Sequence, residues 1–470
     1  MNKLSNGKSN ENGGLHKVMK KKVIIIILVL LLVAIGVVSA LYFYVYNNTK
    51  QWAGLVYPGV KVGQVDISGK TLLEAKGMIT KKYGDAILKK NITVKTPLKT
   101  YTLDYSKINA RYNIDEVVGE AIDYGKNLSV YEKYKLIKKP ISKVLNLKFI
   151  YDTKPITELI STMKKEIGTA SKEGSISLIG TKFNIIPDIK GSKLVDANLE
   201  KEISSKINGD IAAPDIIVEA QIAPVIANIT EEKLKTIDTK ISTFSSNFST
   251  SSYGRSTNIT LATTSINGTL IMPGESFSFN GKVGQRTAAK GYQPAPVDIG
   301  TKVGIDYGGG ICQVSTSLYN TVIRANIKST ERNNHSIPSA YIPLGMDATV
   351  DWGNLDYKFT NTLAYPIYIE SIVRNKILTF NIYSNSSLTS RTYNLVNEVY
   401  AAVAPGPIVY IEDPTLLVGV DIQEQFPLIG YKVRAFKDTI QNGKVIEHLQ
   451  ISDDHYTVAA EVIRRGTKVS

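Results

Sequence analysis

The sequence holds 470 residues, 43% hydrophobic and 21% charged, with a formal charge of +14 and one cysteine. That length supplies roughly two to four domains with real cores and excludes a disordered or collagen-like chain. A lone cysteine excludes an internal disulfide framework, so packing alone holds the fold, and the thiol is inert, intermolecular or reactive. The first 22 residues carry +5 and the remainder +9, a balance suited to a polyanionic surface such as an anionic wall or lipid headgroups. The basic residues are scattered lysines without a binding motif, so nucleic acid is not an expected partner. No two histidines lie at ligand spacing, so neither a metal nor another cofactor is expected.

In chain order, residues 1–22 predict a lysine-rich cytoplasmic tail and residues 23–46 an uncharged span long enough to cross a bilayer. Tyr42, Phe43, Tyr44 and Tyr46 form an aromatic belt at its far end. This places a single-pass anchor in the cell membrane with the bulk of the chain extracellular, facing the cell wall. A cleaved signal peptide is the competing reading, with Val38-Ser39-Ala40 as its small-residue site. The fold class expected beyond it is multidomain α+β. Residues 51–228 read as a tandem pair of α+β units divided near Lys138-Lys139-Pro140, because helix, hairpin and helix follow one another in both halves. This stretch has no histidine or cysteine, which favours binding over catalysis. Residues 229–256 predict a helix and a serine-rich linker, residues 257–390 a further α+β domain, and residues 393–470 an all-β module with an Asn442-Gly443 hairpin turn.

The chain's one cysteine sits in Tyr307-Gly308-Gly309-Gly310-Ile311-Cys312-Gln313, where a glycine turn meets a predicted helix over 312–327. Val314, Leu318, Val322 and Ala325 recur on one face of that helix. Amides and the positive dipole end in its first turn stabilise a thiolate. His335 follows in Glu331-Arg332-Asn333-Asn334-His335. The helix is roughly 24 Å long, and the seven residues before His335 span about 24 Å if extended. A Cys–His pair is therefore within reach if the chain doubles straight back. The bland alternatives are a small buried cysteine and an ordinary hydrogen-bonded histidine.

Five blocks then agree in order with one family. They are Pro273-Gly274-Glu275-Ser276-Phe277-Ser278-Phe279-Asn280, Val283-Gly284 with Arg286-Thr287, the run from Gly309 through Cys312 to Asn320, Glu331-Arg332 with His335-Ser336, and Tyr341 with Gly345-Met346-Asp347-Ala348. Over about residues 250–385 the chain resembles the VanW family. Residues 51–228 look like the peptidoglycan-binding domain often placed before a VanW domain, and the C-terminal part looks like a G-five domain. The resemblance implies a Gram-positive cell-wall protein that takes peptidoglycan stem peptides as partner. It further implies an L,D-transpeptidase making 3–3 cross-links through a thioester on Cys312, with His335 as general base. On that mechanism, backbone amides near Gly309, Gly310 and Gln313 hold the oxyanion, Arg286 clamps a stem carboxylate, and Tyr307 lines the groove. Glu331, Asn333, Asp347 and Asp351 are unranked candidates to orient His335. The rivals are a non-catalytic wall-binding accessory protein of the glycopeptide-resistance type and a cysteine peptidoglycan endopeptidase.

Overall fold

The computed structural model describes residues 12–299 and 302–469. Helix α1 (Asn12–Lys50) carries the uncharged run, and its segment Lys17–Lys50 is long and apolar enough to cross a membrane. A signal sequence meets the same test of length and composition. By its internal contacts the chain divides into two units. One holds the chain up to Thr169 together with Ser192–Val225, and the other holds Ala170–Gly191 with the chain from Ile226 onward.

The first unit is built from β1 (Val60–Val62), α2 (Leu72–Ile79), β2 (Asn91–Lys95), β3 (Thr100–Asp104), α3 (Ile114–Asp123), β4 (Lys143–Leu145) and α4 (Lys154–Ile167). After the hairpin β5 (Ser175–Ile179) and β6 (Lys182–Ile186) come α5 (Leu199–Lys206) and β7 (Ile216–Glu219). Thr71 starts α2 with a capping box: its hydroxyl accepts from the Glu74 amide, and the Glu74 carboxylate accepts from the Thr71 amide. Val60, Val62, Ala75, Ile79, Val117, Ala121 and Leu145 make one core, drawn from β1, α2, α3 and β4. Ile92, Val94, Ile156, Ile160, Met163, Ile203 and Val218 make a second, drawn from β2, α4, α5 and β7.

This corrects the expected division near 138–140. The helix–hairpin–helix order does recur, but the halves do not close separately. β1 pairs in parallel with β4, and β2 with β7. Parallel neighbours need long crossover connections, so each strand finds its partner far along the chain and the two cores are threaded through one another. The hairpin β5–β6 leaves this unit altogether. It joins the second unit, where Phe183 stands edge-on to both Tyr368 and Tyr383 at 5.3 Å.

The second unit begins with β8 (Thr239–Asn247), α6 (Tyr253–Ile266), β9 (Thr269–Ile271), β10 (Ser276–Ser278), the ribbon β11 (Ala295–Ile299) and β12 (Lys302–Asp306), and α7 (Ile311–Arg324). It continues with β13 (Ser329–Glu331), β14 (Lys358–Thr360), β15 (Ile367–Arg374) and β16 (Ile377–Ser384). An antiparallel sheet in the order β8–β16–β15–β9 carries α7 across β8 and β16, with α6 on β15. The serine-rich stretch is thus not a linker. It forms strand β8, and its small side chains let α7 approach closely: buried Ser246 meets buried Ser317 hydroxyl to hydroxyl at 2.8 Å.

From Thr392 onward the described residues are strand and turn: β17 (Thr392–Val403), β18 (Val409–Leu417), β19 (Asp421–Gln425), β20 (Gly430–Gln441), β21 (Lys444–Tyr456) and β22 (Val462–Lys468). They form two three-stranded sheets, β17–β20–β21 and β18–β22–β19. Asn442 and Gly443, both at positive φ, turn β20 into β21. Leu395 from β17 joins the same core as α7, so this β-module belongs to the second unit.

Helix α7 is buried along nearly its whole length, with Val314, Leu318 and Val322 fully enclosed. Leu318→Ala is expected to cost about 2–5 kcal/mol through lost burial and a residual cavity. Chemical denaturation checks this, and an unchanged midpoint would contradict the packing described here.

Candidate active site

Two glycines let the turn before α7 sit where it does. A Cβ on Gly309 would lie 2.6 Å from Ala295 Cβ and 2.7 Å from the Pro296 carbonyl. Gly310 has φ +96°, and a Cβ there would lie 2.9 Å from both Arg255 Cγ and Ile259 Cγ1. The turn is therefore wedged between the ribbon and α6, and a side chain at either position would push the cysteine outward. Buried Asn258 pins the turn from α6 by donating to the Gly309 carbonyl at 3.0 Å.

Cys312 stands in the first turn of α7, partly exposed, while its helical neighbours are buried. Its thiol donates to the Val350 carbonyl at 3.4 Å. The segment around Val350 is stitched to α7 by side chains. Ser315 donates to the Ala348 carbonyl at 2.6 Å, Thr316 accepts from the Ala348 amide at 3.0 Å, and Asn320 donates to the Met346 carbonyl at 2.7 Å. With Met346 and Ala348 bonded to the helix through their backbones, the carboxylate of Asp347 between them is free to face His335.

Asp347 Oδ2 accepts from both the backbone amide and Nδ1 of His335, each at 2.6 Å. That fixes Nδ1 as the donor and leaves Nε2 toward Tyr341 Oη, 3.4 Å away, and the sulfur. Asp347 Oδ1 accepts from the Tyr456 hydroxyl at 2.6 Å and from Arg332 at 3.3 Å. Arg332 in turn grips both oxygens of Asp454 at 2.6 and 2.7 Å. These charged side chains are almost wholly shielded from water.

The electrostatics follow from this inventory. Burial alone would lower the imidazole pKa, but hydrogen bonds to Asp347 and to the Cys312 sulfur, with their charges, push it up to about 10. Burial likewise opposes charge on Asp347, yet His335, Arg332 and the Tyr456 hydroxyl hold it below the ordinary carboxylate value.

Of the four residues expected to orient His335, Asp347 is the one that touches it. Glu331 accepts from the Asp356 amide and pairs with Lys358. Asn333 offers its carbonyl to the Thr349 amide, and Asp351 closes a turn with Leu355 and Asn354. Gln313 is also displaced from its expected place at the groove. It is buried, accepts from Arg255 and donates to Ser246 and Asn247, while its amide bonds the Gly310 carbonyl. Tyr307 packs against the core at the end of the ribbon. Arg286 donates to Asn280 at 2.7 Å and lies over the rings of Phe279 and Trp352, and its Nη1 is buried without a partner among the described residues. Arg332 and Tyr341 stand inside the quoted motif blocks. Asp454 and Tyr456 lie over a hundred residues away with no local signal to mark them.

Fold and site together define a multidomain α+β protein with a Cys–His–Asp line at the start of a buried helix. Sequence models of three families match it in order: "Putative peptidoglycan binding domain" over residues 101–215, "VanW like protein" over 254–383 and "G5 domain" over 396–468. The Bacillus subtilis protein YoaR, described as uncharacterized, is 34% identical over 209 residues, covering 44% of this chain and 68% of YoaR. The vancomycin B-type resistance protein VanW of Enterococcus faecalis is 31% identical over 109 residues, 22% of this chain and 40% of that protein. Two solved structures, of the IgA1 protease G5 domain and of HP0197-G5, match 17% and 16% of the chain at 18% and 24% identity. They align over 93% and 95% of their own lengths with TM-scores of 0.13 and 0.11. The chain belongs to the VanW family, as a cell-wall-associated member with a peptidoglycan-binding domain before the VanW region and a G5 domain after it.

A raised imidazole pKa stabilises the fold fully below its ordinary value of 6.5 and loses that contribution as pH climbs through about 10. The depressed Asp347 contributes fully above its ordinary value of 3.8 and less as pH falls below it. Melting temperatures of the parent and of His335→Gln, taken from pH 5 to 10.5, should therefore differ most near pH 5–6 and converge toward pH 10. A constant gap would contradict a charged His335.

Proposed function

We propose that the protein is a membrane-anchored, cysteine-dependent L,D-transpeptidase that acts on peptidoglycan stem peptides and forms 3–3 cross-links. The observation that carries this reading is His335, held on one nitrogen by the buried Asp347 carboxylate and turned with the other toward a partly exposed thiol. That is the nucleophile, base and orienter relation needed for acyl transfer.

The Cys312 sulfur, paired as a thiolate with the His335 imidazolium that holds its proton on Nε2, attacks the carbonyl of the L-centre of diaminopimelate in a tetrapeptide stem. The tetrahedral intermediate collapses as the imidazolium protonates the departing D-Ala amine, leaving a thioester on Cys312. The amine of an acceptor stem then attacks that thioester and loses its proton to the imidazole, and the thiolate leaves. Asp347 stays ionised throughout, fixing the ring and balancing its charge. The Ile311 and Gln313 amides are already bonded to the Gly308 and Gly310 carbonyls, so the Cys312 amide, with those of Gly309 and Gly310, is assigned to the oxyanion. Arg286, with its buried unpartnered Nη1 and its charge acting on Cys312, is assigned to a carboxylate of the bound stem. Helix α1 is the anchor in this reading, and the first unit grips the wall.

Incubation with disaccharide-tetrapeptide followed by intact-mass spectrometry should show a thioester on Cys312 that is absent in Cys312→Ala and reduced at least ~100-fold in rate in His335→Ala. With an acceptor stem present, 3–3 dimers should appear. Shortened stems without dimers would mean hydrolysis, and no adduct would overturn the enzymatic reading in favour of a binding protein.

A further inference from the structure

Two supports of the His335–Asp347 pair, Asp454 acting through Arg332 and Tyr456 acting directly, come from outside the region matched to the VanW model. Arg332, which bonds Asp347 through its Nη2 and the Asp347 carbonyl through its Nε (2.6 Å), has its other Nη fixed by Asp454 of β21. Tyr456, two residues on, donates to Asp347 and accepts from the Gly345 amide at 2.7 Å. The contact continues along both loops. Asn334 donates to the His455 carbonyl, the Ser336 carbonyl accepts from the Thr457 amide, and Asn397 of β17 donates to the Leu344 carbonyl. Gly345 takes φ +82° with Val433 of β20 only 3.0 Å from where a Cβ would stand. The chain on either side of His335, and just ahead of Asp347, is therefore bonded to the C-terminal β-module.

We infer that this module completes the active site, with Asp454 and Tyr456 acting as positioning residues for the His335–Asp347 pair. Charge counting supports the assignment. Asp347 and Asp454 face one guanidinium, which leaves a single buried negative charge for a protonated His335 to cancel. A surface that merely docked two domains would not need to bury two carboxylates and an arginine to do so, because desolvating such groups is costly. The groups facing His335 are Cys312 from α7, Tyr341 and Asp347. Arg332, Asp454 and Tyr456 stand one step further out, and the Tyr319 ring of α7 lies under the guanidinium at 5.3 Å. The inference rests on the transpeptidase reading only in giving Cys312 a reaction to perform.

The test is the rate of Cys312 alkylation by iodoacetamide, followed by intact mass on the full-length protein in detergent at pH 7 and pH 10.5. Asp454→Asn leaves Arg332 uncompensated and disfavours the imidazolium that attracts a thiolate. Tyr456→Phe keeps the ring but lets Asp347 Oδ1 swing toward Arg332, drawing Oδ2 off His335. Each variant is expected to react roughly 3- to 10-fold more slowly than the parent at pH 7 and to converge with it at pH 10.5, and Asp454→Glu should restore most of the loss. Folded variants that match the parent at both pH values would overturn the proposal. If Asp454→Asn fails to fold, Tyr456→Phe decides alone. A parent that is alkylated in this pattern yet forms no thioester with tetrapeptide would sink the transpeptidase reading and leave this one standing.

Discussion

The second unit depends on one buried carboxylate. Asp347 accepts four hydrogen bonds, two from His335 and one each from Arg332 and Tyr456. Those donors arrive from two stretches of chain, 332–335 and Tyr456, so the carboxylate fixes where each must stand. A carboxylate this deep is tolerable only if nearly every lone pair is occupied by a charged or strongly polar donor. Leaving one partner out exposes an unmatched charge to a poor solvent, a penalty of about 3–5 kcal/mol in comparable buried pairs. Asp347 is therefore as much a constraint on the fold as a part of the site.

That constraint explains the polar character of α7. A helix enclosed on all sides would ordinarily be uniformly apolar, yet α7 buries Gln313, Ser315, Thr316, Ser317, Asn320 and Thr321. Gln313 is satisfied by Arg255 of α6 and by Ser246 and Asn247 of β8, and the others either back along the helix or across to the loop that carries Asp347. The apolar face made by Val314, Leu318 and Val322 seats the helix in the core, and the polar face sets the register of residues 346–350 against it. The first supplies stability and the second supplies geometry, and Cys312 stands at the end where both meet.

Much of this was legible in the sequence where the signal is local. The helix after the glycine turn follows from the spacing of Val314, Leu318 and Val322, and the last hairpin from Asn442-Gly443. Cys312 and His335 stand out because their residue types are scarce, and the loop arithmetic allowed their approach. The choice of Asp347 from four candidates was not legible, because it turns on Ser315, Thr316 and Asn320 fixing a distant loop through side chains. Asp454 and Tyr456 carry no motif, and an Asp or Tyr in an exposed β-pattern is ordinary. The serine-rich stretch misled for a related reason: small polar residues usually mark a linker, but here they are what a strand needs beneath a closely packed helix. The division near 138–140 failed because element order does not reveal which strands pair.

The threading of the first unit has a consequence for how the chain acquires its structure. Strand β1 has no parallel neighbour until Lys143–Leu145 has been made, and β2 waits for Ile216–Glu219. The first apolar layer can close only once Leu145 has been made, and the second stays open to solvent until Ile216–Glu219 arrives. Contacts of such long sequence separation close slowly, and the open interval lengthens exposure to aggregation and to proteases.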